Sequence, residues 1–252
     1  MKIAVLASGS RGNAILIRLA SKAILVDAGL GPRTLKNRLS EVGESLDGLE
    51  AVFISHEHID HIQGLEALAR NFKIPFFATE GTWEGIESSF AFSRQTILVG
   101  EKIKINDFEV QAFRVPHDAR EPVGFVVQVG GSKVSIATDL GSKNFLIEQR
   151  LKDADVIILE SNYDPFLLKT GPYPWPVKQR IMSRYGHLSN YDCAELVSRI
   201  QFSGLKKVVL AHLSEVNNQP EIAWKTVRQM LKEDVELFLT SQTQPGPVIE
   251  LK

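Results

Sequence analysis

Residues 55–64, SHEHIDHIQG, hold three of the chain's six histidines and an aspartate within six positions. In an extended segment, side chains two apart point to the same side. His56 and His58 can therefore grip one ion from a single direction. Asp60 and His61 come where the chain turns into a helix, and can face a second ion. Imidazole and carboxylate donors suit zinc, manganese or iron. A turn of this kind needs a fold that brings other donors to it, so the rest of the chain is searched for them.

The chain has 252 residues, 44% hydrophobic and 23% charged. These values fit a soluble globular protein with a sizeable core, read as a single domain over residues 1–252. No apolar run approaches the roughly 20 residues that span a bilayer, so no membrane association is expected. The single Cys193 excludes an intramolecular disulfide and fits a reducing cytoplasm. It sits in a helical pattern, YDCAELVSRI, where a small packed apolar role suits it. A net charge of −1 excludes a polycation, so nucleic-acid binding requires a local basic face. The sequence leaves homo-oligomer formation open.

Strands and helices alternate along the chain. Short strands are predicted at KIAVLA, NAILIRL and AILVDAG, then a helix in PRTLKNRLSEVG with Pro32 near its start and Gly43 after its end. LEAVFISH reads as a buried strand, IQGLEALARNF as a helix, KIPFFAT as a strand and GTWEGIES as a helix. Residues 101–116 predict a hairpin turning at Asn106–Asp107, and residues 123–139 a hairpin turning at Gly130–Gly131. ADVIILES and LKKVVLAH are further strands, each preceded by a helical pattern. DVELFLT and PVIEL read as edge strands.

Asp27, His56, His117, Asp139, Glu160 and His212 all fall at or just past the end of a predicted strand. In layered α/β folds such ends share one rim, so residues remote in sequence can converge there. Any one of Asp27, His117 or Asp139 alone is an ordinary turn residue or a satisfied buried polar group. Their common placement makes the rim a candidate metal site.

HEHIDH resembles the motif of the metallo-β-lactamase fold superfamily. LVDAG, VPHDA, IATDLG and LAHLS follow in the order that family expects, so the resemblance covers nearly the whole chain. It implies a four-layer αβ/βα sandwich, an α/β fold of two mixed β-sheets with helices outside and metals at one edge. It further implies two divalent ions, Zn2+, Mn2+ or Fe. One would take His56, His58 and His117; the other Asp60, His61 and His212; Asp139 would bridge them. Asp27 would lie behind the ligands, fixing a histidine or the loop.

The sixth histidine, His187, lies in YGHLSNYDCAEL. Ser189 with Asp192 matches S-x-x-D, so a helix should begin there and offer an anion site at its N-terminus. GHLS followed by VVLAHLS resembles the nuclease branch, in which a His-x-Ser pair contacts the scissile phosphate. LASGSRGN, HDAREPVGF, ESNYD, GPYPWPVKQRI, GHLSN and AHLSEVNN together resemble the YycJ/WalJ-like subgroup. That resemblance implies a 5′-to-3′ DNA exonuclease acting in the cytoplasm. The subgroup's pattern has His after ESN, where this chain has Tyr163.

Residues 164–186 hold Lys169, Lys178, Arg180 and Arg184 against Asp164, interleaved with Phe166, Tyr173, Trp175 and Tyr185. Cations track phosphates and aromatics stack on bases. His187, Ser189, Lys178 and Arg180 are therefore the expected substrate contacts, although the same aromatics would equally suit a proline-braced segment packed inward. The Gly9–Asn13 turn offers backbone N–H groups to an anion or is simply a turn. The expected chemistry is attack on phosphorus by a metal-bridging hydroxide, with Asp60 or Asp139 taking its proton and His187 assisting the leaving alkoxide. Competing readings on the same fold are a phosphodiesterase of cyclic or other small nucleotides, a thioester or lactone hydrolase, and a non-enzymatic scaffold.

Overall fold

The computed structural model describes residues 1–87, 91–201 and 204–251. The first half runs β1 (Lys2–Ala7), β2 (Ala14–Leu19), β3 (Lys22–Val26), α1 (Pro32–Glu41), β4 (Leu49–Phe53), α2 (Ile59–Ile62), α3 (Leu65–Asn71), β5 (Phe76–Ala78), α4 (Glu80–Gly85) and β6 (Arg94–Thr96). The second half runs β7 (Lys102–Ile105), β8 (Phe108–Arg114), β9 (Val123–Val129), β10 (Ser132–Ala137), α5 (Phe145–Leu151), β11 (Val156–Glu160), α6 (Pro165–Thr170), α7 (Trp175–Ile181), α8 (Asn190–Ile200), β12 (Lys207–Ala211), α9 (Pro220–Arg228), β13 (Glu236–Leu239) and β14 (Val248–Glu250). Two seven-stranded sheets result, ordered β14-β1-β2-β3-β4-β5-β6 and β13-β12-β11-β10-β9-β8-β7. The expected strands and both hairpins form; the three-residue β6 is an addition. The last two strands are sheet edges, as expected.

The alternation of side chains along each strand builds the layers. Ile3 and Val5 of β1 join the core between the sheets, while Ala4 and Leu6 join the core under the helices of the first sheet. Likewise Val156 and Ile158 of β11 face the inter-sheet core, and Ile157 and Leu159 face the helices of the second. Strands apolar on both faces must be covered on both, and a helix–sheet–sheet–helix sandwich follows. This is the four-layer arrangement that the resemblance implies. Cys193 lies buried in the helix-side core of the second sheet, where burial pushes its thiol pKa up.

Each sheet is mixed. β3–β4–β5–β6 are parallel in one and β10–β11–β12–β13 in the other, with antiparallel strands beyond. Parallel strands end together, which gives each sheet a rim where successive loops start. Phe53 stacks on Phe77 with centroids 4.9 Å apart and meets the edge of Phe125 at 5.9 Å, tying the two sheets together directly beneath that rim. Phe125→Ala should lower the unfolding free energy by about 3–5 kcal/mol, read from denaturant melts of the two proteins.

Candidate metal centre

Three rim residues leave their strands in the left-handed conformation: Asp27 (φ 61°) after β3, Asp139 (φ 52°) after β10 and His212 (φ 55°) after β12. For non-glycine residues this costs about 1–3 kcal/mol each and needs surrounding support. The support is visible at Gly29. A Cβ there would lie 1.7 Å from the Asp60 carbonyl oxygen, so glycine lets the 27–30 turn press against the metal-motif loop.

The imidazoles are set by what their outer nitrogens touch. His61 donates from Nδ1 to Asp27 Oδ2 at 2.8 Å, and His117 donates from Nδ1 to the Gly186 carbonyl at 3.1 Å. His212 Nδ1 lies 3.1 Å from Glu160 Oε1, and His56 Nδ1 lies 3.0 Å from the Ser55 hydroxyl. All four thus turn Nε2 inward. His58 instead turns Nδ1 inward, 3.1 Å from His56 Nε2 and 3.4 Å from His117 Nε2. Donors about 2.0–2.1 Å from a tetrahedral ion sit roughly 3.3–3.4 Å apart, so His56, His58 and His117 have the spacing of one ligand set.

Asp60, His61 and His212 make a second cluster. His61 Nε2 lies 3.5 Å and His212 Nε2 3.8 Å from Asp60 Oδ2. Asp139 reaches both clusters. Its Oδ2 is 3.2 Å from His61 Nε2, and its Oδ1 is 3.4 Å from His212 Nε2 and 3.7 Å from His117 Nε2. Asp139 Oδ2 and His212 Nε2 are fully buried with no hydrogen-bond partner among the described residues. Buried polar atoms rarely go unmatched. Two such atoms aimed at one point, amid converging lone pairs, fit divalent cations.

The electrostatics divide the imidazoles into two groups. Burial and neighbouring imidazoles hold His56 well below the usual histidine range, and burial keeps His117 low. Burial would do the same to His61, but Asp27 and Asp139 outweigh it and hold the ring well above that range. His212 is likewise raised, Asp139 and Asp60 overcoming its burial. Asp139 stays well below the usual carboxylate range because His212 and His61 override the cost of burying it.

Other residues complete the site without having been assigned a role from sequence. Glu160, fully buried at the end of β11, accepts from His187 Nδ1 at 2.7 Å and from the backbone N–H groups of Leu140 (2.6 Å) and Leu188 (3.2 Å). Its position at a strand end was the available signal. Burial lowers the His187 pKa, but Glu160 prevails and raises it. Asn13 donates from Nδ2 to Asp60 Oδ2 at 3.2 Å, and Ser55 joins Asp27 to His56 and His61. Both lie within stretches noted in the sequence, LASGSRGN and SHEHIDHIQG, which gave no sign of these supporting roles. Arg180 and His187 line a cavity of about 310 Å³ with His58, Asp60, Asp139 and His212. Arg180 Nε donates to Asp118 Oδ2 at 2.5 Å.

Several expected substrate contacts are not brought there. Lys178 is buried, its ammonium donating to the carbonyls of Lys169 (2.8 Å) and Gly171 (2.7 Å), so it closes the end of α6 and faces no phosphate. Ser189 caps α8 as expected, but its hydroxyl accepts from Asp192 N and donates to Asp192 Oδ2 at 2.7 Å. The helix end is thereby answered by its own carboxylate, and it is not the expected anion site. In the Gly9–Asn13 turn, the N–H groups of Gly9, Arg11, Gly12 and Asn13 are all engaged within the protein, so the turn braces Asp60. Tyr163 is buried and its phenol pKa is pushed up to about 12, first by burial.

Residues 22–213 match the family model described as the beta-lactamase superfamily domain. The chain is 35% identical to Exodeoxyribonuclease YycJ of Bacillus anthracis over 242 residues, 92% of this chain and 90% of that protein. It is 33% identical to Exodeoxyribonuclease WalJ of Streptococcus pneumoniae (strain D39) over 263 aligned positions, 99% of this chain and 98% of that one. Among solved structures, the metallo-beta-lactamase fold protein YhfI from Bacillus subtilis matches with a TM-score of 0.77 at 17% identity over 99% of both chains. Zn(2+)-bound PqqB from Methylobacterium extorquens matches with a TM-score of 0.74 at 16% identity over 100% of both. At such identities these two speak to the fold alone.

Asp27→Asn preserves shape but removes the carboxylate that fixes His61. It should weaken metal retention about 10–100-fold, measured by titrating stripped protein with Zn2+ against a chromophoric chelator.

Proposed function

We propose, from the premise that this chain belongs to the metallo-β-lactamase fold superfamily and to its YycJ/WalJ-like group, that it is a metal-dependent phosphodiester hydrolase acting as a 5′-to-3′ DNA exonuclease. The observation that carries this reading is that the likeness to exodeoxyribonucleases extends along the whole chain, well beyond the ligand motifs. The Glu160–His187 pair at the metal pocket is compatible with it, because it supplies a proton donor for a departing alkoxide. Strands from both ends of the chain, β1 and β14, pair in one sheet, which suits one hydrolase domain over residues 1–252. No helix among the described residues is long and apolar enough to cross a membrane. A cytoplasmic setting would keep Cys193 reduced.

His56, His58 and His117 would hold one divalent ion, Asp60, His61 and His212 the other, with Asp139 shared. Zinc and manganese suit this donor set, and iron is compatible with it. Two ions bound there would supply Lewis acidity to a phosphoryl oxygen and make water acidic enough to ionise near neutral pH. Arg180, at the mouth of the pocket, can leave Asp118 for a substrate phosphate and hold it bidentately. His187, kept protonated by Glu160, hands a proton from Nε2 to the departing alkoxide. Asp60 or Asp139 accepts the proton of the attacking water. Phe166 and Trp175 are exposed on α6 and α7, and bases of a single strand can stack on such rings.

Holoenzyme should release a 5′ label first as a mononucleotide and shorten a 3′-labelled DNA strand progressively, and a chelator should stop both. Release of the 3′ label first, or no cleavage of any DNA, would count against the reading. His187→Ala should retain its metal content while turnover falls about 100-fold or more. Undiminished turnover would remove His187 from the mechanism.

A further inference from the structure

Beside the metal pocket, across His117, lies a second cavity of about 480 Å³ lined by Arg114, Pro116, His117, Arg120, Leu146 and Tyr185. It is within the size range of small-ligand sites. Resting on the nuclease reading above, we infer that this cavity is a nucleoside subsite. It takes the base and sugar of one nucleotide flanking the scissile phosphate, with Tyr185 as the stacking platform.

The cavity is built in advance of any ligand. Its outer wall, residues 116–122, is pinned at several points. Glu57 Oε1, from within the metal motif, accepts from Arg120 N at 2.8 Å. Thr79 donates to the Glu121 carbonyl at 2.9 Å, and Gly141 N donates to the Pro116 carbonyl at 2.8 Å. The facing wall is pinned to the same segment. Ser142 donates to the Arg184 carbonyl at 3.1 Å, and a Cβ on Gly141 would lie 2.5 Å from that oxygen. Both walls are thus tied to residues 141–142, and their separation is fixed relative to His117.

The lining suits a nucleoside. Tyr185 is half exposed, and Arg184 braces it by donating to its hydroxyl at 2.8 Å with the guanidinium 4.6 Å from the ring centroid. A flat ring held in place costs little entropy when a base stacks on it, and such stacking tolerates all four bases. Leu146, also part exposed, offers an apolar edge. Arg114 and Arg120 pair with Glu121 and Glu84 at 3.2 and 3.5 Å in exposed contacts. Exposed pairs of this kind are worth little, so either cation can turn to a backbone phosphate. Because His117 lines both cavities, the proposed base site adjoins the metal pocket across one side chain.

The test uses single-turnover cleavage of single-stranded oligonucleotides by holoenzyme, with an abasic residue placed on either side of the first scissile phosphate. In the wild type, an abasic residue on one side should slow cleavage about tenfold. Tyr185→Ala should slow the normal substrate by a similar factor and become indifferent to the abasic residue, while Tyr185→Phe keeps the wild-type pattern. Tyr185→Leu fills the space without a flat ring and serves if the alanine variant melts early. Wild-type rates in Tyr185→Ala, or an undiminished abasic effect in it, would overturn the subsite. Wild-type enzyme that leaves every oligonucleotide whole would overturn the nuclease reading instead.

Discussion

The buried Asp139 carboxylate stands among three imidazole nitrogens drawn from three separate parts of the chain. Removed from water, a carboxylate is expensive unless matched, and here much of the matching is left to groups that converge from outside its own strand. Asp27, Glu160, Ser55 and the Gly186 carbonyl each take the outward nitrogen of one histidine. The inward lone pairs then have nowhere to go but the shared centre. Imidazole nitrogens and carboxylate oxygens about 3–4 Å apart thus face one centre, a donor set that divalent cations fit. The left-handed backbone at Asp27, Asp139 and His212 belongs to the same account, because these are the turns that swing a side chain back over the strand it has just left.

The sheets explain why such a centre can exist at all. Each sheet places its parallel strands side by side, so Asp27 and His56 leave neighbouring strands of one sheet, and Asp139, Glu160 and His212 leave neighbouring strands of the other. The inter-sheet core, with Phe53 and Phe125 in contact, holds the two rims at a set separation. A site split between two sheets is only as well placed as that packing. This is why a purely apolar contact below the rim matters to polar geometry above it.

Much of this was legible in the sequence, and the parts that were not fail for identifiable reasons. Strand ends carrying Asp27, His117, Asp139 and His212 could be found because alternating apolar runs fix where a strand stops. Direction around a helix was harder. Lys178 and Arg180 both carry charge in a basic stretch, but they lie two apart on α7, about 200° around the axis. They cannot both face the pocket, and burial of the long Lys178 stem against α6 decides which does not. Ser189 was correctly a cap, and that same role removes its hydroxyl from substrate. Asn13 and Ser55 lie in noted stretches, yet their supporting roles were not legible, since a side chain that supports a ligand needs only reach and a hydrogen bond.

The charge of the pocket completes the argument for cations. Asp60, Asp118 and Asp139 line it, while Arg180 is already paired with Asp118. A phosphodiester entering that space would meet no net positive charge and three carboxylates at close range. At 4 Å, each like-charge contact costs about 4 kcal/mol at an effective dielectric constant of 20. Arg180 and the raised His187 and His212 balance the three carboxylates that line the pocket but leave no surplus of positive charge for a phosphate. Divalent ions bound there would give the pocket a net positive charge, so the ions that would perform the chemistry would also let an anionic strand approach. The carboxylates that seem to exclude nucleic acid are then the reason the protein can bind it.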